Sequence, residues 1–397
     1  MKTVTVKAGR EKSLQRRHPW LFSGAIQKAD KAIAAGETVK VVSASGEPLA
    51  LGAWSPHSQI RVRIWSYNPD EIIDAGYFQR RIQNALALRR WAVPDTDNAW
   101  RLVNAESDGL PGVTIDRYHD YLVGQFLSAG AEYWKADIVG QLQTLLSPKG
   151  IYERSDVEVR EREGLKPRSG LLAGEEPPEL IEIGLDGWTL LVDVRKGHKT
   201  GAYLDQSRNS RRVRHYARDR DVLNCFSYSG GFTLAALAGG AGNVTNVEAS
   251  AEVLALADRN LAVNRLAAER VENVQGDAFE VLRRFRDGRR RFDMVILDPP
   301  KFVSSAQQLR RGCRGYKDIN LLAMKLLTDN GILVTFSCSG HVSPELFQKI
   351  VADAAQDAGR EARILEFLAQ SPDHPVALPF PEGRYLKGLI CMVSGRE

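Results

Sequence analysis

Four stretches follow one another in a fixed order: DVLNCFSYSGGFTLAALA (221–238), NVTNVEAS (243–250), VQGDAF (274–279) and FDMVILDPPKF (292–302). Val222 to Phe226 is a short apolar run. It turns through Ser227, Ser229, Gly230 and Gly231 into the helical pattern Phe232–Ala238. The spacing predicts a strand, a glycine turn and a helix. Glycine allows a sharp bend and lets a ligand lie against bare amides, and a helix amino end favours an anionic group. The next apolar run ends in Glu248, where doubly wound folds place an acid on ribose hydroxyls. Asp277 closes the third unit, and Phe292–Leu297 delivers Asp298 with the rigid pair Pro299 and Pro300. Ligands of open α/β sheets gather at such strand ends.

Four βα units in register predict an α/β domain that binds S-adenosylmethionine through Asn224, Phe226, Ser227, Gly230 and Gly231 in the turn. Glu248 is expected on the ribose and Asp277 on the adenine amine, with Asp298 a further contact to the donor. Upstream, GHKTGAYLDQSRNSR (197–211) brings Gln206 and Arg208 towards the methionine end of the donor. A nicotinamide site would use similar glycines, but the strict G-x-G-x-x-G fingerprint and an early dinucleotide half are both absent. Any one motif alone is better read as an ordinary βα turn with an acidic helix cap; four in order are not.

The 397-residue chain has room for two or three domains, and its 43% hydrophobic and 26% charged composition is that of a soluble globular protein. No run approaches the roughly 18 apolar residues of a membrane span. The start MKTVTVKAGREKS lacks the apolar core of a signal peptide, so a cytoplasmic protein without a membrane partner is expected. Cys225, Cys313, Cys338 and Cys391 lie far apart without a C-x-x-C pair, which predicts reduced thiols and no metal site. The net charge of +5 is modest, but arginines cluster in 208–220, in 283–291 and in LRRGCRGYK (309–317). The last cluster follows the DPP strand end on the substrate side. Arg310, Arg311, Arg314 and Lys317 are therefore candidate contacts to a phosphate backbone. A solvated helix face is the bland alternative, strongest for 283–291.

Alternating apolar runs at Thr3–Val6, Glu37–Val42, Pro48–Trp54 and Ile60–Trp65 predict a compact β-rich module over residues 1–72. Between them, RRHPWLFSGAI (16–26) sets Arg16 and Arg17 beside Trp20, a pairing that can hold phosphates and stack on bases but equally builds a core. Residues 73–180 read as a small α+β domain. It has an amphipathic helix over Asp74–Trp91, strands around a turn at Gly109–Gly112, a helix near Glu132–Leu146 and a strand at Gly150–Arg154. Glu161–Glu179 reads as a linker. A hairpin turning at Asp186 and Gly187 opens the last domain, 181–397. Beyond the DPP element the pattern predicts a helix over Tyr316–Thr328, a strand at Gly331–Ser337, a helix at Pro344–Ala358 and strands near Ala362–Leu368 and Gly388–Val393.

GAYLDQSRNSR, NCFSYSGGF, LDPPKF, RGYKDIN and FSCSG together resemble the bacterial 23S rRNA 5-methylcytosine methyltransferase I family, over essentially the full length. The resemblance implies an amino-terminal RNA-binding β-barrel of the PUA type, a central α+β insert and a Rossmann-like class I methyltransferase sheet at the C-terminus. It further implies S-adenosylmethionine as donor, and a cytosine of 23S ribosomal RNA or a large-subunit precursor as substrate. Whether the chain works alone or as a homodimer stays open. Carbon 5 of cytosine is a poor nucleophile, so a thiolate must first add to carbon 6. Buried cysteines are usually structural, but the resemblance assigns this role to Cys338 in FSCSG, with Asp298 gripping the base. Cys313, in the segment 309–317 read as a basic substrate-side loop, is a second candidate. Lys301 stands where many RNA cytosine enzymes carry a further cysteine, leaving Lys301, Lys317 or water to take the carbon 5 proton. Two other readings are kept: methylation of a guanine or adenine nitrogen, suggested by DPPKF, and a non-catalytic RNA-binding or ribosome assembly protein.

Overall fold

The computed structural model describes residues 1–395, which divide into two compact units. One comprises Met1–Gly184, Val192–Leu204 and Pro372–Gly383; the other comprises Leu185–Leu191, Asp205–Ser371 and the segment from Arg384 onwards.

The second unit is an α/β sheet. Its strands are β1 (Asp221–Cys225), β2 (Asn243–Glu248), β3 (Val271–Gln275), β4 (Phe292–Leu297), β5 (Leu327–Ser337), β6 (Arg360–Ala369) and β7 (Lys387–Gly395), in the spatial order β3-β2-β1-β4-β5-β7-β6. The first five run parallel, and β7 inserts antiparallel between β5 and β6. The helices are α1 (Ser207–Tyr216), α2 (Gly231–Ala238), α3 (Ala251–Val263), α4 (Ala278–Asp287), α5 (Leu309–Leu326) and α6 (Pro344–Ala358). Strands with helices on both faces read as near-continuous apolar runs, as Met294–Leu297 and Ile332–Val334 do. Leu282 and Phe285 of α4, Tyr316 and Ile319 of α5 and Phe347 of α6 join Leu223, Val295 and Leu333 in one core. Phe232 of α2 stacks on Phe336 of β5 with centroids 5.6 Å apart.

A polar ladder crosses this apolar sheet. Register puts Asn224 opposite Asn246 and Asn246 opposite Asn273. Thr233 donates to Asn246 Oδ1 at 2.5 Å, Asn224 donates to Thr233 at 3.0 Å, and Asn246 donates to Asn273 at 2.9 Å. Asn224 is therefore buried beneath the turn it was expected to line, with its amide engaged inside the sheet. A buried amide keeps its place only while its partners are satisfied.

In the other unit, a six-stranded sheet has the order Trp20–Phe22, Ile60–Ser66, Pro48–Trp54, Thr38–Val42, Thr3–Val6, Ile26–Ala29. It surrounds Val4, Val6, Leu21, Val39, Val41, Val62 and Ile64. Two of these strands arise from the RRHPWLFSGAI stretch and its continuation, where the alternating pattern was too short to declare them. A five-stranded sheet follows, and the helices Ala75–Ala92 and Lys135–Leu146 share its core. Asp74 caps the first of these by accepting from the Tyr77 amide at 2.8 Å.

Three expectations need correction. Glu161–Glu179 is not a linker: Val159–Arg162 is helical, and Arg168–Gly174 pairs antiparallel with Gly150–Ser155 as an edge strand. Its glycines and charges suit an edge, where one row of backbone groups meets water. The Glu132–Leu146 helix is broken into Ala129–Tyr133 and Lys135–Leu146. Finally, α5 begins at Leu309 and ends at Leu326, so LRRGCRGYK is helix rather than loop. The hairpin at Asp186 and Gly187 forms with φ of 58° and 83°, as a type I′ turn requires.

Replacing Asn246 by alanine strands Thr233, Asn224 and Asn273 together. The substitution is expected to destabilise the sheet by about 2–3 kcal/mol. Native-state hydrogen exchange would read this as faster exchange of the β1 and β2 amides, and unchanged protection would contradict it.

Candidate active site

Register fixes which residues share the carboxyl edge of the sheet. Cys225 pairs with Val247 on one side and Leu297 on the other, so Phe226, Glu248 and Asp298 leave β1, β2 and β4 at one level. Strand order reverses beside β1, the place where open α/β sheets take their ligands.

The turn after β1 adopts a costly conformation. Phe226, Tyr228 and Gly230 all have positive φ, at 60°, 45° and 88°. For a non-glycine residue this region costs about 1–2 kcal/mol, and such strain clusters at ligand sites. Glu248 holds the turn down: it accepts from the Tyr228 amide at 3.1 Å, Ala249 at 2.8 Å and Ser250 at 3.2 Å. A carboxylate offers about four lone-pair sites, so capacity for ribose hydroxyls is left. Two observations fit the turn to S-adenosylmethionine. Ser227 Oγ and Asn224 Oδ1 are buried without a hydrogen-bond partner, and a Cβ built on Gly231, at the start of α2, meets nothing within 4 Å. The turn thus offers spare polar atoms and open space at a helix amino end.

Asp277 is exposed and caps α4, accepting from the Glu280 amide at 3.2 Å. Gln206 is buried. It donates to Asp298 Oδ2 at 3.0 Å and accepts from Asn209 at 2.5 Å, so it fixes the orientation of Asp298. The segment entering α1 is held by Asp205, which accepts from Tyr385 at 2.7 Å. Arg208 points its side chain to solvent.

Among the cysteines, Cys225 and Cys391 are buried, and burial pushes both thiols up, Cys391 to about 12. Cys313 lies on α5, packed against the apolar core, where burial again raises its thiol. None of these three suits a nucleophile at neutral pH. Cys338 follows the last residue of β5, which pairs with β4, the strand that ends just before Asp298, and is half-buried between the buried Ser337 and Ser339. Tyr316 shares a hydrogen bond with Ser339 Oγ at 2.9 Å, and the Val303 amide donates to the same oxygen at 3.1 Å. Beneath the loop, Lys387 donates to Ser339 O at 2.6 Å and Val342 O at 2.7 Å. Neither Tyr316 nor Lys387 was singled out as a site residue from the sequence, because each reads as an ordinary member of its helix or strand.

Arg310, Arg311 and Arg314 are exposed on the first turns of α5 and form no ion pair among the described residues. Lys317 does not join them. It pairs with Asp357 of α6 at 2.7 Å, and that hydrogen bond raises its pKa, so it stays protonated and cannot serve as a base near neutrality. In the other unit, Arg16 and Arg17 are exposed, whereas Trp20 is packed. Its indole N–H donates to Glu106 at 2.8 Å, Phe380 lies edge-on at 4.8 Å, and Arg63 lies 5.7 Å from its ring. The stacking role expected for Trp20 gives way to a structural one.

Among the described residues, no helix is long and apolar enough to cross a membrane, and no group of three or more His, Cys, Asp or Glu could hold a metal ion. Residues 4–67 match the PUA-like domain family, and residues 159–388 match the S-adenosylmethionine-dependent methyltransferase family. The chain is 51% identical over 391 residues to the protein named Ribosomal RNA large subunit methyltransferase I of Escherichia coli O139:H28 (strain E24377A / ETEC), covering 98% of this chain and 99% of the relative. The Shigella flexneri protein of that name matches to the same extent, 51% over 391 residues with 98% and 99% covered. A solved S-adenosylmethionine-dependent methyltransferase structure from Streptococcus mutans aligns with TM-score 0.85 at 24% identity, covering 99% of this chain and 100% of that one. A methyltransferase solved in complex with SAH gives 0.86 at 23%, with the same 99% and 100% coverage, a likeness that speaks for the fold alone. By its family match and its near full-length relatives, the chain belongs to the S-adenosylmethionine-dependent methyltransferases, in the group of Ribosomal RNA large subunit methyltransferase I.

Proposed function

We propose that the protein methylates carbon 5 of a cytosine in 23S ribosomal RNA, with S-adenosylmethionine as donor and Cys338 as covalent nucleophile. The observation that carries this reading is the company of Cys338: a half-buried thiol at the end of β5, next to the strand that leads into Asp298, with a buried lysine bonded to the loop that follows it. The name of the full-length relatives supports ribosomal RNA as the substrate. By role, residues 1–72 form the PUA-like module, 73–180 a central α+β domain and 181–397 the methyltransferase domain, acting in the cytoplasm.

When bound, S-adenosylmethionine supplies an electrophilic methyl group. The protein's own residues do the rest. Ser227, Gly230, Gly231 and Phe226 seat the donor, Glu248 takes the ribose and Asp277 the adenine edge, while Asn224 supports the turn from below. Cys338 adds to carbon 6 of the cytosine, which makes carbon 5 nucleophilic. Asp298, oriented by Gln206, holds the base edge and stabilises the adduct. After methylation the carbon 5 proton leaves to Lys301 or a water, and the thiolate departs. Arg310, Arg311 and Arg314 hold the RNA backbone at this site, and Arg16 and Arg17 contact phosphates on the PUA-like module.

Labelled methyl transfer to unmodified 23S rRNA, with nucleoside analysis, tests the chemistry. Label is expected in 5-methylcytosine for wild type and Cys313→Ala, and Cys338→Ala is expected to lose at least about three orders of magnitude in rate, as removal of a covalent nucleophile does. Label in a guanine or adenine, or full activity in Cys338→Ala, would instead establish the base-nitrogen reading that DPPKF suggests. Replacing Arg310, Arg311 and Arg314 together by alanine is expected to lower the salt slope of RNA binding by about 2, at roughly 0.7 per lost single-strand phosphate contact. An unchanged slope would remove α5 from the RNA interface.

A further inference from the structure

The side chain of Lys387 is almost fully buried, with the residue 4% exposed. Strand register places it opposite Ser337, the residue before Cys338. A buried ammonium is costly unless a counter-charge and hydrogen bonds offset the loss of water. Here the hydrogen bonds are two backbone carbonyls, Ser339 O and Val342 O, which bracket the loop that follows Cys338. Among the described residues no carboxylate pairs with Lys387. The groups that act on its charge are Cys338, Arg384 and Lys301, and of these only Cys338 can become an anion.

We propose that Lys387 is the positioning residue for Cys338, fixing the loop that carries the thiol and serving as the counter-ion of its thiolate. A neutral lysine amine has two N–H bonds, and both can be spent on the two carbonyls. Its lone pair is then the one position left to gain a proton. The S–H bond of Cys338 breaks, the proton passes to Nζ and the electron pair stays on sulfur, giving a thiolate–ammonium pair. Sulfur then spends that pair on carbon 6, and recovers it when the adduct resolves opposite the same ammonium.

Burial pushes the Lys387 pKa down to about 8, with Arg384 and Lys301 acting in the same direction and Cys338 opposing them. An ordinary thiol titrates near 8.5, close enough to that value for a proton to be exchanged between an amine and a thiol held together. Tyr316 of α5 is also in electrostatic reach of Cys338; burial raises its phenol, which stays neutral at working pH. Asp298 stands at the end of the adjacent β4.

This inference rests on Cys338 as nucleophile, and its test is independent of RNA. In a Cys313→Ser background, the rate of Cys338 alkylation by iodoacetamide is followed against pH by mass spectrometry. The same is done for Lys387→Met and Lys387→Arg, with calorimetric donor binding confirming that each variant is folded. The parent midpoint is expected about one pH unit or more below the ordinary thiol value. In Lys387→Met it is expected to rise by about one unit, so alkylation at pH 7 slows roughly tenfold. Lys387→Arg keeps the charge and is expected to keep the low midpoint. If Lys387→Met does not fold, Lys387→Arg alone decides: an ordinary midpoint in both it and the parent overturns the inference. An unshifted midpoint in a folded Lys387→Met also overturns it, even while methyl transfer depends on Cys338. Methyl transfer that survives Cys338→Ala sinks the nucleophile reading instead, whatever the midpoint.

Discussion

The pairing of β1 with β2 on one side and β4 on the other is the constraint on which the site depends. It sets Phe226, Glu248 and Asp298 at one level, and it forces the chain leaving β1 to turn at once towards α2. A strand buried on both faces offers no freedom to relieve that turn. The strain in Phe226 and Tyr228 therefore stays local, held by the Glu248 carboxylate. The acid expected to meet the ribose is thus also the clamp that makes the binding surface.

A second division of labour runs through the polar groups. Asn224, Asn246 and Asn273 sit inside the sheet and keep β1, β2 and β3 in register. Gln206 sits between Asn209 and Asp298 and aims the acid. Each sets where a residue at the carboxyl edge of the sheet stands. Such supporting groups are common around sites that need sub-ångström placement.

Much of this was legible in the sequence. The strand, turn and helix of residues 221–238, the acids at 248, 277 and 298, and the strand before Cys338 follow from apolar runs that end in polar residues. Those runs are short because parallel strands are. What escaped was what local pattern cannot encode. Glycine signals positive φ at 230, but Phe226 and Tyr228 carry no such signal. The fate of Asn224 depends on a partner at 246, a contact across strands. Lys317 reads like Arg314 in the same basic run, and only the packing of α5 against α6 shows that Asp357 takes it. The arginine-rich start of α5 looked like a loop because two glycines, Gly312 and Gly315, interrupt it. Their small size is what the helix needs there: a Cβ on Gly312 would fall 2.3 Å from Val303 and 2.6 Å from the Phe302 carbonyl.

The insertion of β7 between β5 and β6 has a consequence for how the domain is made. Strands β5 and β6 emerge before β7 but do not pair with one another, because β7 takes the place between them. Until residues 387–395 arrive, the edge of β5 has no partner on that side and Ser339 and Val342 lack the lysine that gathers their carbonyls. The loop after Cys338 is thus braced only once a strand much later in the sequence has been made. Order of synthesis, set by one antiparallel strand, delays the final arrangement of this loop until β7 is in place.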